Sequence, residues 1–486
     1  MNKNLKKNRR KAVSYASFSP SCLVFSFLLL TYSFLLIACS DPTSSGTVTF
    51  SGTVTLEGKT DHSGVTISLY APVELDTALL RINEQYPHIG VQISQETEFD
   101  HLSNGQTGRE HEPLYTTTSK ADGSWAIKNV EKGEYNVVVE KKGFGRTIRY
   151  EQSIDSEKTG PAFALKPMVT LSGVYNQAYV FDNQFIEVSG DAVFETGSTV
   201  QFKGECIIHF KGAYSLTIKG GFSRESGSVI RLFAEDLTSD AKWEFLSQAD
   251  LTLENVYAMG DVELRIAESK VRITNSYFRK ANLYALNLSE CNLSLSNLLF
   301  RGNTIGLNIN KTSGENELTG NVFFDNEIDV EAFAADVLSV NNNMFKQSGL
   351  NLNFIQVNAL VEHNNCEKSE KNLNVSGICS VDVRNNNFIN NITNIYLQGI
   401  SHQSYVIKLK SNENNFIITT NYYIYLGSKT FAGDTLNAEN NFWGTIDESI
   451  IQNKIIDKTD FPENSGYSYV KYWPFALTEY HNAGIE

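Results

Sequence analysis

An asparagine recurs through the second half of the chain at a nearly constant spacing, and this repeat limits the possible folds more than any other feature. Each such Asn stands two residues before an aromatic residue, a Leu or a Cys, and successive Asn are on average about 23 residues apart. Such a unit is too short for two packed helices, so each repeat is expected to form one coil of short strands. The pairs are Asn255/Tyr257, Asn275/Tyr277, Asn297/Leu299, Asn321/Phe323, Asn343/Phe345, Asn364/Cys366, Asn386/Phe388, Asn414/Phe416 and Asn440/Phe442.

The physics of stacked coils explains why these residue types recur. Equivalent positions on neighbouring coils lie about 4.8 Å apart. Asn tolerates left-handed backbone at corners, and its amide can hydrogen-bond to the Asn of the next coil, while the aromatic rings stack inside. A second column with the same period, of the form apolar-x-apolar, supports a right-handed parallel β-helix: Ile305/Leu307, Ile328/Val330, Leu350/Leu352, Leu373/Val375, Ile395/Leu397 and Ile424/Leu426.

Both ends of this region resemble a known superfamily. The sequence Asn440-Asn441-Phe442-Trp443-Gly444-Thr445, the stretch Ile450 to Ile456 with Asp457, and Tyr472-Trp473-Pro474-Phe475 resemble the closing segment of right-handed β-helix repeat proteins of the pectate-lyase-like superfamily. The apolar segments between Val188 and Ile218 resemble its irregular opening coils. The resemblance spans about 300 residues and implies a fold more than a chemistry, because this solenoid carries lyases, hydrolases and binding proteins.

An alternating pattern before the repeat predicts a smaller β domain. The order SGTVT, GVTISL, TTTSKADGSWAI, GEYNVVV and KGFG, with a hairpin turn at Asp122-Gly123, resembles the carboxypeptidase regulatory-like domain. That resemblance implies a transthyretin-like antiparallel β-sandwich that serves as a spacer or recognition module and has no catalytic residues. The predicted fold class is therefore all-β, an N-terminal sandwich followed by a right-handed parallel β-helix.

About forty residues, 72–113, interrupt the sandwich pattern. The first part, Val73 to Tyr86, has helical spacing of apolar residues. The second part contains two His among acids, which suits either a divalent metal site or an ordinary polar loop. These residues are Glu98, Asp100, His101, Glu110, His111 and Glu112.

The first forty residues predict export. A basic run, Lys6 to Lys11, precedes an apolar stretch from Cys22 to Ala38, and Leu36-Ile37-Ala38-Cys39 resembles the lipobox of bacterial lipoproteins, in which the Cys is lipidated. The alternative is an uncleaved membrane anchor. Either places the rest of the chain outside the cytoplasm, and we expect a lipid-anchored envelope protein of the outer membrane, periplasmic or surface-exposed. The predicted segments are signal 1–38, tether 39–47, sandwich 48–166 with insert 72–113, solenoid 167–478 and tail 479–486.

Charge and cysteine content restrict the partners further. The formal charge is −14, and loss of the six Lys and Arg in residues 1–38 takes it to −20, which disfavours nucleic-acid binding. The exported compartment permits disulfides, but buried structural thiols are the explanation that we expect for the cysteines. The four concerned are Cys206, Cys291, Cys366 and Cys379.

Substrates of the superfamily usually lie across an exposed parallel sheet, so residues that alternate with the apolar column are the predicted ligand-binding stripe. Amides can bond sugar hydroxyls, and tyrosines offer apolar ring faces. The alternative is an ordinary solvated sheet face. The predicted binding residues are Asn308, Asn351, Asn353, Asn372, Asn374, Asn394, Tyr396, Tyr423 and Tyr425.

Support for catalysis is thinner. The stripe has no Lys, Arg or His to act as the base of a uronate lyase, and the Asp-Asp pair and Gly-His-Gly of polygalacturonase-type hydrolases are missing from the chain. Asp329 and Glu331, two residues apart, are the candidate catalytic pair, or calcium ligands, or solvated charges. The predicted function is therefore an envelope lipoprotein whose β-helix is a surface for binding or adhesion, with carbohydrate as the expected ligand. The two alternatives are a polysaccharide-cleaving hydrolase or lyase that uses the same face and a purely structural envelope protein.

Overall fold

The computed structural model describes residues 46–99, 112–156, 158–234, 240–398, 407–427, 435–463 and 467–486. The predicted export signal, Cys39 and most of the tether lie outside these residues, as do Asp100, His101, Glu110 and His111 of the insert. In this described part, none of the helices is both long and apolar enough to cross a membrane.

The N-terminal domain is a sandwich of two small, mainly antiparallel sheets. Alternating apolar residues of both sheets point into a shared core, where the ring centroids of Phe50 and Trp125 lie 5.3 Å apart. One sheet consists of Thr47–Leu56, Ser124–Glu131, Lys158–Thr159 and Phe163–Leu165, and the other of Thr66–Tyr70, Tyr115–Thr118, Gly133–Lys141 and Gly145–Ile154.

From Val169 the chain winds into a right-handed parallel β-helix, so the predicted fold class is confirmed. The opening coils contain the strands Val169–Tyr175, Ala178–Asp182, Phe185–Phe194, Thr199–Lys203 and Gly221–Arg224. After them each coil contributes one strand to each of three parallel sheets, which we call sheets I, II and III. The last coils are closed by the helix Glu448–Asn453 and by the strands Ile455–Ile456 and Val470–Lys471.

The three sheets have these strands. Sheet I contains Glu205–Phe210, Val229–Ala234, Val256–Met259, Tyr277–Arg279, Leu299–Arg301, Val322–Phe324, Met344–Lys346, Asn365–Glu367, Asn387–Ile389 and Asn415–Ile417. Sheet II contains Ser215–Ile218, Ala241–Leu246, Val262–Ala267, Tyr284–Ser289, Ile305–Asn310, Ile328–Phe333, Leu350–Ile355, Lys371–Ser376, Thr393–Gln398, Tyr422–Leu426 and Ile455–Ile456. Sheet III contains Leu251–Glu254, Lys270–Thr274, Asn292–Ser296, Glu315–Thr319, Val337–Asn341, Asn358–Glu362, Cys379–Arg384, Ile407–Asn412, Leu436–Asn437 and Val470–Lys471.

A ladder of buried asparagines runs along the corner between sheets III and I, as the repeat predicts. The Nδ2 of each Asn donates to the Oδ1 of the Asn one coil further on, at 2.9–3.0 Å. The same Oδ1 also accepts the backbone N–H of the preceding coil's Asn, so the amides satisfy main-chain donors that the corner leaves without a strand partner. The members are Asn321, Asn343, Asn364, Asn386, Asn414 and Asn441.

The core beside this ladder is a stack of rings. Phe278, Phe300, Phe323 and Phe345 follow one another with centroids 4.8–5.1 Å apart. Cys366 occupies the next position, and the stack resumes with three further rings at 4.7–4.9 Å, namely Phe388, Phe416 and Trp443. All four cysteines named above are buried and free, so the disulfide alternative does not hold.

In four coils the predicted pairs are shifted by one residue. Asn255, Asn275, Asn297 and Asn440 occupy the left-handed corner position, with φ of 48–58°, immediately before the ladder column. The residues two places later therefore face outward instead of joining the stack, and the prediction that Tyr257, Tyr277, Leu299 and Phe442 stack inside is wrong. Corner and ladder are adjacent and both favour Asn, which is why the period alone does not separate them.

The insert covers the N-terminal half of sheet I. Its helix Thr77–Gln85 lies within the stretch for which the spacing predicts a helix, and Asp76 caps it by accepting from the N–H groups of Ala78 and Leu79. A short second helix, Gln95–Glu98, follows. Apolar insert residues pack on the outward residues of sheet I, in a cluster of Leu79, Ile82, Ile89, Ile93, Tyr277, Leu299, Val322, Phe324 and Met344.

Three arginines of sheet I pair with acids of the insert. The Nη1 of Arg301 lies 2.7 Å from the Oε2 of Glu98, and its Nη2 lies 3.0 Å from the Oδ2 of Asp76. Arg279 pairs with the same Glu98 oxygen at 3.3 Å. Arg231 lies 2.6 Å from Glu96. Only the contact between Arg279 and Glu98 is buried on both sides, whereas Glu96 is half-exposed and Asp76 and Arg301 are partly exposed. Removing Glu98 would leave a buried arginine charge without its partner, which is costly.

Candidate functional site

Five of the predicted binding residues and the catalytic candidate Glu331 form one outward column on sheet II. The strand register pairs each with the next, from Asn308 through Glu331, Asn353, Asn374 and Tyr396 to Tyr425. All six side chains are half-buried in the sheet surface. With about 4.8 Å per coil the column is roughly 24 Å long. We call these six residues the stripe.

Five other residues predicted to face outward lie inside the solenoid instead. The prediction that Asp329, Asn351, Asn372, Asn394 and Tyr423 are exposed is wrong: each is at most 3% accessible. Each of them lies just after the corner between sheets I and II, at a position that the strand pairing skips. At this position the side chain points inward, and so does the side chain of the next residue. Strict alternation begins only beyond that point.

The buried amides form a second internal ladder. Asn351 donates through Nδ2 to the Oδ1 of Asn372, which donates in the same way to Asn394, each at 2.6 Å. Asn394 in turn donates to the hydroxyl of Thr419 at 2.7 Å. The hydroxyl of Tyr423 donates to the carbonyl of Trp443. Their polar groups therefore bond within the fold and do not reach a ligand on the surface.

Asp329 stands at the head of this ladder as a buried carboxyl. Its Oδ1 accepts from the Nδ2 of Asn326 at 2.8 Å and from the hydroxyl of Ser348 at 2.7 Å. Burial raises the pKa of this carboxyl well above its usual value, although both hydrogen bonds act in the opposite direction. A residue in this position cannot touch a polysaccharide on the sheet face, so it does not form an acid/base pair there with Glu331.

On the surface, the stripe amides make two short hydrogen-bonded chains that each end at a carboxylate. Asn374 donates to the Oδ1 of Asn353 at 2.7 Å, and Asn353 donates to the Oε1 of Glu331 at 2.9 Å. One coil earlier in the series, Asn308 donates to the Oδ1 of Asn287, and Asn287 donates to the Oε1 of Glu263. The carboxylates thus hold the amides in one orientation.

The C-terminal end of the stripe is aromatic. The rings of Tyr396 and Tyr425 are stacked, with centroids 5.3 Å apart and planes 6° apart. The Nζ of Lys371, on the preceding coil, lies 4.1 Å from the Tyr396 centroid. Both faces of Tyr396 are therefore occupied, and it offers solvent its edge and hydroxyl, not the flat face that the sequence argument assumed.

Apolar side chains flank the amides on both sides, and the sequence argument missed them. On the strand of Asn353 these are Leu350 and Ile355, and on the strand of Glu331 they are Ile328 and Phe333, all at least partly accessible. Counting by alternation from the buried Phe354 places Ile355 and Asn353 outside and Leu352 inside, but it also places Leu350 inside. Leu350 was assigned to the core because its distance from the corner was unknown.

Metal and catalytic chemistry receive no support from the described residues. Within them, no group of three or more His, Cys, Asp and Glu is arranged to hold a metal ion, and calcium binding stays a prediction. Glu98 of the suggested insert site is engaged with Arg279 and Arg301. Glu331 and Glu263 lie near Tyr284, and their charges add to burial in raising the pKa of its phenol.

No family model, no curated protein and no solved structure matches the chain.

Proposed function

We propose that this chain is an exported envelope lipoprotein whose β-helix binds carbohydrate along the stripe of sheet II. One observation carries the proposal: six polar or aromatic side chains stand in register on consecutive coils of one face. Sheet I, by contrast, is covered by the chain's own insert and tail. An elongated row of amides suits an elongated polyhydroxylated ligand better than a compact one.

Binding is favoured over cleavage by the placement of the two carboxyl groups. The suggested acid/base pair loses Asp329 to the interior, and Glu331 is engaged by the amide of Asn353. The enzyme alternative therefore retains only Glu331 of its two candidates. A purely structural role would require that the stripe serve stability alone, and glycan binding distinguishes the two.

The test is a glycan panel probed with the protein and with Tyr396→Ala and Tyr425→Ala. Since both side chains border the amide row and carry a hydroxyl that can hydrogen-bond to a sugar, we expect each variant to lose about ten-fold in affinity for the glycan that binds. Trp473→Ala is the matched control, because Trp473 is 60% exposed beside the corner before sheet I, away from the stripe. Absence of any binding over a broad panel would leave the structural role, and new reducing ends lost on Glu331→Gln would favour an enzyme.

The lipid anchor and the envelope location rest on the sequence of residues 1–40. Cys39→Ser should abolish incorporation of a radiolabelled fatty acid and release the protein from membranes of the expressing bacterium. Incorporation that persists in Cys39→Ser would contradict lipidation at this residue, and membrane retention without any label would favour the uncleaved anchor.

A further inference from the structure

Sheet I shows how an outward column of asparagines in this solenoid binds a carbonyl group. The Nδ2 of Asn387 donates one hydrogen to the Oδ1 of Asn365 at 3.1 Å and the other to the backbone carbonyl of Ala483 at 2.9 Å. Asn415 does the same, donating to Asn387 at 2.9 Å and to the carbonyl of Tyr480 at 2.9 Å. Each amide thus uses one N–H to hold its place in the column and one to bind an amide carbonyl from outside the solenoid.

The asparagines of the stripe on sheet II are held in the same way. Asn308, Asn353 and Asn374 each donate one N–H to the preceding coil. An amide nitrogen carries two donors, and the second donor of each has no partner among the residues the structure describes. On the acceptor side, the Oδ1 of Asn353 is used by Asn374, and the Oδ1 of Asn374 is buried. The amides of the stripe therefore present mainly N–H donors to a ligand.

The surroundings of these donors are apolar and not cationic. Leu350 and Ile355 flank Asn353 on its own strand, and Phe333, 39% exposed, lies on the neighbouring strand. The adjacent Glu331 disfavours an anionic ligand, and the ammonium of Lys371 is directed to the ring of Tyr396. A neutral carbonyl with a methyl group beside it is complementary to such a surface, since the oxygen meets an N–H and the methyl meets Leu or Ile.

We propose that the stripe selects glycan chains that carry acyl groups, N-acetyl or O-acetyl, whose carbonyl oxygens accept from the stripe asparagines. The inference rests on the proposed function and specifies its ligand class. An uncharged polymer without acyl groups offers hydroxyls and ethers but no carbonyl, and it leaves the apolar flanks of the stripe without contact. A deacetylated amino sugar would lose both the carbonyl and the methyl group.

The experiment compares matched oligosaccharides by isothermal titration calorimetry on the intact protein. One set is N-acetylglucosamine, glucosamine and glucose oligomers of equal length and linkage; the other is acetylated xylan oligosaccharides before and after alkaline de-esterification. We expect the acetylated member of at least one set to bind about ten-fold more tightly than its partners. Asn374→Asp, which replaces a donor by an acceptor, and Asn353→Ala should each remove that preference.

Asn358→Asp, an exposed Asn on sheet III, is the control and should leave the preference unchanged. Melting temperatures of all variants show whether each is folded. Equal affinities within both sets would overturn acyl selectivity while leaving the stripe as a glycan site, whereas no binding of any glycan removes the proposed function as well. Binding of a peptide with the sequence of residues 478–486, lost on Asn374→Asp while acetylated glycans do not bind, would also overturn the inference.

Discussion

Asn326 donates a hydrogen bond of 2.8 Å to the Oδ1 of Asp329 inside the solenoid, at the point where sheet I turns into sheet II. The other carboxyl oxygen of Asp329 and the Oδ1 of Asn351, stacked on the next coil, are both buried acceptors without a partner among the described residues. A protonated Asp329 carries a hydrogen-bond donor that a buried acceptor such as this amide oxygen can use, whereas a carboxylate carries none. Asn at position 329 would reproduce this pattern without a proton.

Asp329→Asn should therefore stabilise the protein increasingly as the pH rises. The folded-state pKa of Asp329 is raised, so the native protein holds its proton more tightly than the unfolded chain, and the wild type loses stability above about pH 4 until the folded pKa is passed. Between about pH 4 and the folded-state pKa, the free energy of unfolding of the variant rises relative to that of the wild type by up to about 1.4 kcal/mol per pH unit. Urea unfolding from pH 4 to pH 8 measures it. Asp325→Asn, exposed at the same corner, is the control, and a pH-independent difference would contradict a neutral Asp329.

Glu98→Gln should loosen the insert from sheet I. Removing the charge leaves Arg279, which is 9% exposed, without its carboxylate, and breaking a buried pair typically costs about 3–5 kcal/mol. Chemical denaturation should show a loss of that order, and limited proteolysis should cut the insert faster. Asp250→Asn, from an ion pair with Lys270 that is exposed on both sides, should change stability by less than about 1 kcal/mol. Equal losses in the two variants would show that the Glu98 contacts contribute no more than a surface pair.

Asn364→Ala should destabilise the solenoid strongly. The side chain donates to Asn386 and to the carbonyls of Val340 and Glu362, and it accepts from Asn343. Each buried partner left without a bond costs about 1–3 kcal/mol, so we expect a total loss above about 3 kcal/mol. Denaturant unfolding gives the value, and Asn358→Ala, on the exposed face of sheet III, should stay within about 0.5 kcal/mol of the wild type. A loss for Asn364→Ala as small as for the control would argue against a structural role of the ladder.

Tyr423→Ala should lower the stability of the protein and Tyr425→Ala should lower its glycan affinity, although the two residues are only two positions apart in one strand. Tyr423 packs against Phe416 and Trp443 in the core, and truncating it should cost about 3–5 kcal/mol of folding free energy. Tyr425 stacks on Tyr396 at the surface, so its loss should reduce glycan affinity with little change in melting temperature. The paired measurements are thermal unfolding and glycan binding. Reduced binding by folded Tyr423→Ala together with unaffected Tyr425→Ala would contradict the assigned facing of the two rings.

The strands that carry the candidate site could be predicted from the sequence, but the direction in which each of their side chains points could not. Counting outward from the apolar-x-apolar pairs placed Glu331, Asn353 and Tyr396 correctly on the surface. It also placed Asp329 and Asn351 there, although the corner before sheet II turns them inward. A shift of one residue reverses the face of a side chain, and the repeat has no local signal for where the corner ends and alternation begins.

The sequence by itself determined the period, the stacked coils and the asparagine ladder between sheets III and I, because stacking demands the same residue type at the same place in every coil. The tertiary structure decided which columns face a ligand. It also decided that sheet I is covered, through contacts such as Arg301 with Asp76, which are 225 positions apart. In the sequence Glu98 fits a polar loop or a metal site, whereas in the structure it pairs with Arg279 and Arg301 of the solenoid. Ion pairing depends on distance in space, and neither the repeat nor the composition encodes which distant segment folds onto which face.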